Sequence, residues 1–306
     1  MPGKSKRHFT SIEKKKAFWG WIFVLPALAF FSLFSFYPIF NAFYTSLFRL
    51  NLLSLGPPTF VGFKQYTRLL SSSSFWNSVE ATAVFTISTF IPMVVFSLIF
   101  AAFISSRRRF QKFMQMAYYS PAVLSSVVAA AIWLLMFDPR GLANQFMNFI
   151  LNSQGVDYKW LASSGMVRFS TVLVYFWKYV GYFTIIFIAG MASIPKTLHE
   201  AARIDGANSW QNFWHITFPL IKPTTLLVSV VAMIQCLKTF STQYLFVQSG
   251  APRGPIDVIT MNIYFTGIRD HSMGTASAMS IILFLIMLLF TWIQLRVSKT
   301  EEVTYS

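Results

Sequence analysis

Six runs of mainly apolar residues, each about 20 residues or longer, set what this chain can fold into. They cover about 17–38, 79–104, 113–137, 169–194, 224–248 and 273–296. A hydrocarbon core of roughly 30 Å is crossed by about 20 residues of helix, and within it every backbone N–H and C=O must be paired by the chain itself. The runs therefore predict an all-α polytopic membrane protein with six transmembrane helices. Composition agrees: of 306 residues, 55% are hydrophobic, 11% are charged, and mean hydropathy is +0.55. A water-soluble globule would need more polar surface than this. Pro26, Pro92 and Pro121 fall within or beside the runs and predict kinks.

The organisation follows from the same pattern. Residues 1–16 form a basic tail, 17–297 a membrane domain with a polar loop at about 195–222, and 298–306 a second tail. The first run follows Lys14-Lys15-Lys16 as a signal peptide would, but it exceeds a signal core of about 7–15 residues and lacks a small-residue cleavage site. It reads as a retained helix.

Cations set the orientation, because cytoplasmic loops carry the Lys and Arg excess. With the N-terminus inside, one side collects Lys4, Lys6, Arg7, Lys14 to Lys16, Arg107 to Arg109, Lys112, Lys196, Arg203, Lys222, Arg296 and Lys299. These outnumber the cations of the opposite side, so both termini and the 195–222 loop are expected in the cytoplasm. The formal charge of +15 then reflects topology and contact with anionic membrane lipid. No separate basic domain exists to bind nucleic acid.

Catalytic chemistry has little to work with. His8, His199, His215 and His271 show no metal-ligand spacing, and Cys236 is alone. Glu80 is the one acidic residue inside the apolar runs. A Gly-x-x-x-x-Gly-Lys-Ser/Thr phosphate loop is absent, so the chain is expected to hydrolyse no ATP by itself and to be no enzyme.

The 195–222 loop is the most structured polar segment. Pro195 suits a helix start, Lys196 to Ile204 are good helix formers, and Gly206 offers a left-handed stop. Ser209 is placed to cap a second short helix carrying Trp210, Phe213 and Trp214, before Pro219 and Pro223 break the chain. Two short helices at an angle would form a protruding knob. Ala201 and Ala202 would admit a partner closely, while Glu200 and Asp205 would pair with its basic groups. Taken alone, this chemistry also fits a solvated loop.

The spacing is more specific. Glu200-Ala201-Ala202, three residues, Gly206, nine residues, then Ile216, Phe218 and Pro219 resembles the EAA loop of permease subunits in bacterial ABC importers, with Phe218 where the family has Leu. Leu25-Pro26, Tyr37-Pro38, Phe60 to Phe63, Tyr118 to Pro121, Trp210-Gln211 and Gly274 to Ala278 are similar to the carbohydrate-uptake branch, of the maltose and glycerol-3-phosphate type. Ser249-Gly250-Ala251-Pro252 resembles its first-subunit Gly-Gly-Pro turn, with Ala251 departing. The segment of about 40 residues between the first two runs leaves no room for the large external domain of the maltose permease first subunit.

The resemblance implies a pore-half permease in the bacterial inner membrane, working with a second homologous permease, two ATP-binding cassette subunits and an extracytoplasmic solute-binding protein. ATP and Mg would sit in the partner subunits, with no cofactor bound by this chain. It implies that Glu200, Ala201, Ala202, Asp205, Gly206, Ile216 and Pro219 couple to the ATPase. Polar groups inside a membrane bundle usually face a cavity or partner, which makes Lys178, Tyr179, Gln235, Lys238, Thr239, Gln243 and Tyr244 candidate contacts for a sugar, oligosaccharide or polyol derivative. Mutual satisfaction of these groups is the competing reading. An ion-coupled transporter or channel, or a membrane scaffold, is the alternative function; the first would need intramembrane acidic or Na⁺-coordinating groups, and the centres of the runs hold no carboxylate.

Overall fold

A computed structural model describes residues 11–54, 56–106, 110–153 and 155–298. Most of the basic N-terminal tail, the Arg107 to Arg109 cluster and nearly all of the C-terminal tail lie outside the described residues.

Five long apolar helical segments cross the molecule: Phe18–Ser46, Ser73–Ser106, Ser164–Ala192, Lys222–Gln248 and Met273–Ser298. A bent pair, Gln111–Val123 and Ser126–Met136, completes six spans. The third run was expected to be one kinked helix; instead its halves meet at 97°. Pro121 lies in the last turn of the first half, Leu124 is extended, and the Ser125 hydroxyl accepts from the Val128 amide at 3.2 Å to start the second half. A lost helix bond followed by a fresh cap turns the chain sharply. Pro92, by contrast, sits inside the unbroken helix Ser73–Ser106.

Two π-helical turns, Ser32–Phe36 and Phe213–Thr217, each run directly into a short helix with proline in its first two positions, Pro38 and Pro219. A widened turn removes the clash between the proline ring and the carbonyl four residues earlier.

Lipid offers helices no hydrophobic reason to associate, so the bundle depends on close packing and small residues. The main core joins the second, fourth and fifth spans with the first half of the third, around Met93, Phe183, Phe187 and Val228. Gly181 of the fourth span lies against the Tyr118 carbonyl, and Gly190 against the Thr224 side chain. A second core, around Phe137, Trp160, Val174 and Phe246, fills the end remote from the 195–222 loop. Asn144 is buried there and joins four groups, including the Trp160 indole at 2.8 Å and Asp157 at 3.1 Å. The first span leans on the sixth chiefly through Tyr37–Ser46; the residues from Phe18 to Phe40 are exposed.

At the remote end the chain from 47 to 72 is stitched to the start of the sixth span. Phe48–Arg49 pairs antiparallel with Thr59–Phe60, Asn51 bridges Ser272, and Thr275 donates to Gln65 at 3.0 Å. A short helix that the apolar pattern does not announce, Ile259–Tyr264, follows the fifth span. Thr82 of the second span accepts from the Ile259 amide at 2.9 Å, and Asn262 donates to Ser78 at 2.7 Å.

Candidate functional site

Two regions concentrate polar chemistry: the knob between the fourth and fifth spans, and the remote half of the bundle around the fifth.

The knob begins at helix Lys196–Ile204. Its end is a Schellman turn: the Ala207 amide donates to the Ala202 carbonyl at 2.8 Å, the Gly206 amide to Arg203 at 3.1 Å, and Gly206 has φ +81°. The second helix, Ser209–Asn212, is capped by Asn208 rather than by Ser209. Asn208 and Gln211 exchange side-chain and backbone bonds, both 2.9 Å. That reciprocal pair satisfies two otherwise orphaned amides, which a lone serine could not do. The helices are joined by His199 Nδ1 and Asn212 Oδ1 at 2.7 Å. Trp210, Trp214 and Phe218 form an aromatic ladder with centroid separations of 5.6 and 5.0 Å.

All seven predicted coupling residues come together on this knob. Glu200, Ala201, Asp205 and Gly206 are exposed, and Ala202, Ile216 and Pro219 are half-buried. Neither Glu200 nor Asp205 makes an ion pair among the described residues. Ile204 is 87% exposed and Trp210 71% exposed. The knob is thus a hydrogen-bonded projection that presents large apolar side chains beside carboxylates without an ion pair among the described residues.

The predicted solute contacts do not form one cluster. Lys178 is 6% exposed and donates to the Ser126 hydroxyl at 2.8 Å, with its ammonium 4.8 Å from the Tyr179 ring centre. The fifth span breaks beside Lys238: helix Lys222–Leu237 ends there and Ser241–Gln248 resumes. Lys238 is exposed, while the Thr239 hydroxyl donates to Gln243 Oε1 at 2.9 Å and the Thr239 carbonyl accepts from Thr260. Gln235 gives its carbonyl to the Tyr175 hydroxyl at 2.8 Å, leaving its own side-chain oxygen buried and unpaired. Tyr244 stacks on Phe240, with centroids 5.1 Å apart, and meets Tyr264 edge-on.

A cavity of about 420 Å³ lies between the second span, the fourth span and residues 255–258. Of the predicted set only Gln243 reaches it. That side chain is 0% exposed, and its Nε2 has no partner among the described residues. Across the cavity mouth Arg168 bonds Glu80 at 3.3 Å and the Pro255 carbonyl at 3.1 Å.

Segment 253–258 also walls a second, polar recess of about 520 Å³ on its other side. Pro255, Ile256 and Val258 face the first cavity, whereas Arg253, Gly254 and Asp257 face the recess. Sequence reading passed over Asp257, because one carboxylate between proline and apolar residues resembles a solvated turn. Its burial and its pairing with Arg253 exist only once distant segments meet.

Comparison with known proteins gives a consistent result. Residues 85–301 match the family described as binding-protein-dependent transport system inner membrane component. Over 291 residues the chain is 30% identical to the probable starch degradation products transport system permease protein AmyD of Thermoanaerobacterium thermosulfurigenes, covering 94% of this chain and 97% of that one. The arabinooligosaccharides transport system permease protein AraP of Halalkalibacterium halodurans is 31% identical, with 95% of this chain and 91% of the relative covered. Among solved structures, a chain of a bacterial alginate ABC transporter in complex with an alginate pentasaccharide-bound periplasmic protein superposes with TM-score 0.78 at 21% identity, covering 92% of this chain and 93% of that chain.

Proposed function

This chain belongs to the inner-membrane components of binding-protein-dependent transport systems, and on that premise we propose that it is half of the pore of an ATP-driven sugar importer. The solute is a sugar, oligosaccharide or polyol derivative, and the names of the starch-product and arabinooligosaccharide relatives favour an oligosaccharide. A second homologous permease completes the pore, and an external solute-binding protein delivers the substrate. Two ATP-binding cassette subunits hold ATP and Mg on the cytoplasmic side, where the knob and both termini lie. This chain binds no cofactor of its own.

The observation that carries the reading is the knob. Its exposed Ile204 and Trp210, beside the unpaired Glu200 and Asp205, form a docking surface on a compact hydrogen-bonded support. Closure of the cassette subunits on ATP moves this support as a unit, and the fourth and fifth spans that flank it transmit the motion. Coupling requires ATP and the loaded binding protein to favour the same outward-open state, since each shifts the equilibrium only by its differential affinity. Gln243, at the cavity wall, together with Thr239, Gln235, Lys178, Tyr179, Lys238 and Tyr244, lines or supports the solute path.

Affinity purification from mild detergent with an ATPase assay tests the proposal. A second permease and an ATPase should co-purify, and both should be lost when Glu200 and Gly206 are altered together. A stable chain recovered alone, without ATPase, overturns it.

A further inference from the structure

The recess behind segment 253–258 is a built polar site. It lies where the second and sixth spans begin and the fifth ends, at the end of the bundle opposite the knob. Four charged side chains line its volume of about 520 Å³: Arg68, Arg253, Asp257 and Asp270. Arg68 and the Asp270 carboxylate have no side-chain partner among the described residues. Arg253 lies over the Phe265 ring at 4.1 Å and approaches Asp257 Oδ2 at 3.1 Å. The other oxygen of Asp257 is unpaired, and the residue is only 8% exposed. Burial lifts the Asp257 carboxyl above its ordinary range, against the opposing pull of Arg253.

A buried acceptor without a donor is destabilising, more so when it is charged, so this arrangement is suited to a ligand that supplies donors. The two cations balance the two anions, which favours neither a simple anion nor a cation. No group of three metal-ligating side chains exists among the described residues. Hydroxyl groups both donate and accept. A planar carboxylate next to a planar guanidinium matches a pair of neighbouring hydroxyls, and Thr275 adds a further hydroxyl to the wall. The volume suits one or two sugar rings, within the usual range of about 300–1,000 Å³ for ligand pockets.

We propose that this recess is a binding site for a neutral glycosyl unit, separate from the cavity that Gln243 lines, with Asp257 accepting from the sugar hydroxyls and Arg68 and Arg253 donating to them. The side from which sugar arrives rests on the importer reading; the chemistry of the recess does not. Because 253–258 divides recess from cavity, a sugar held here waits beside the segment that separates it from the interior of the bundle.

Photo-crosslinking of the assembled importer in lipid nanodiscs, without ATP, tests this with maltotriose and arabinotriose each carrying a diazirine. The expected result is labelling of peptides within 64–75 and 262–279, which line the recess and not the cavity, competed by the unlabelled trisaccharide. Asp257→Asn, which keeps the shape, should lower that labelling about tenfold, the loss expected for a hydrogen bond to a charged group. Arg68→Gln should lower it without touching the pair of Arg253 and Asp257. Failure of both probes to label these peptides overturns the proposal, as does labelling confined to the Gln243 cavity. Unchanged labelling in Asp257→Asn, with weaker capture of the binding protein, also overturns it and makes the recess a protein socket. Uptake of the same radiolabelled trisaccharides into proteoliposomes is read separately. Uptake with an unlabelled recess refutes the site alone, whereas a labelled recess without uptake refutes the transport reading alone.

Discussion

His199 and Asn212 are joined at 2.7 Å across the two short helices of the knob. Each helix is too short to be stable alone in water, so their angle is set by this bond, by the Schellman turn at Gly206 and by the reciprocal cap of Asn208 and Gln211. The shape of the knob is fixed by these local bonds, which is what the proposed coupling role requires.

Asn212→Ala should therefore damage coupling more than folding. One hydrogen bond of this kind contributes about 1 kcal/mol, a small part of the stability of the membrane bundle. Stimulation of ATPase by the loaded binding protein should fall several-fold, with the thermal midpoint nearly unchanged. An equal loss of both would mean the bond is merely structural.

Gly206→Val tests the turn itself. With φ at +81° and nothing within 4 Å of a built Cβ, the cost is backbone strain and not collision, about 1–2 kcal/mol. The end of helix Lys196–Ile204 should unwind or shift, and recovery of the ATPase subunit in pull-downs should drop. Gly206→Asn, which tolerates the left-handed region better, should retain more of it.

Gly181 makes the contrasting case. A Cβ there would collide with the backbone of Tyr118 in the third span. Overpacking of this kind costs about 1–3 kcal/mol, so Gly181→Ala should lower the thermal midpoint measured in detergent by size-exclusion fluorescence. Gly165→Ala, at a helical site with no neighbour within 4 Å, is the neutral control.

Lys178 separates solute contact from structure. It is buried, and among the described residues its hydrogen bond is to the uncharged Ser126, with the Tyr179 ring 4.8 Å from its ammonium and no carboxylate paired to it. Replacing a buried charge that lacks a counter-charge with an apolar chain of similar length is often neutral or stabilising. Lys178→Met should leave stability unchanged or improved, whereas Ser126→Ala, which strands the ammonium, should lower it. If Lys178 meets the solute, Lys178→Met will also raise the KM of uptake.

Much of this was open to sequence reading, and the reasons differ by element. Runs of apolar residues report their solvent directly, so the six spans are legible. The knob is legible because Pro195, Gly206 and Pro219 act locally. Its cap lies at Asn208, one residue before the expected Ser209: both residue types are good caps, and only Gln211 three residues after Asn208 distinguishes them. The 97° turn of the third span was hidden, since Pro121 marks a weak point but not an angle. That angle depends on packing such as Gly181 against Tyr118. Helix Ile259–Tyr264 is too short to show a period, and its support comes from Ser78 and Thr82, far away in sequence. The recess depends on four separate segments, so no local pattern announces it.

Asp257 supplies the pH prediction. Burial holds its carboxyl above the ordinary 3.8, so the folded protein binds more protons at this site than the unfolded chain. Stability contributed here is full below 3.8 and is lost as pH rises from there through the raised folded value. The chain carries other carboxylates, so the quantity to follow is the difference in thermal midpoint between the native protein and Asp257→Asn. Asparagine carries no titrating proton, and the difference should move against the native protein as pH increases across that window. A bound sugar that donates to the ionised carboxylate reverses part of this trend, because it stabilises the charged form. Adding maltotriose should therefore flatten the slope in the native protein and leave Asp257→Asn unaffected. A slope that is the same with and without sugar would place the donor elsewhere.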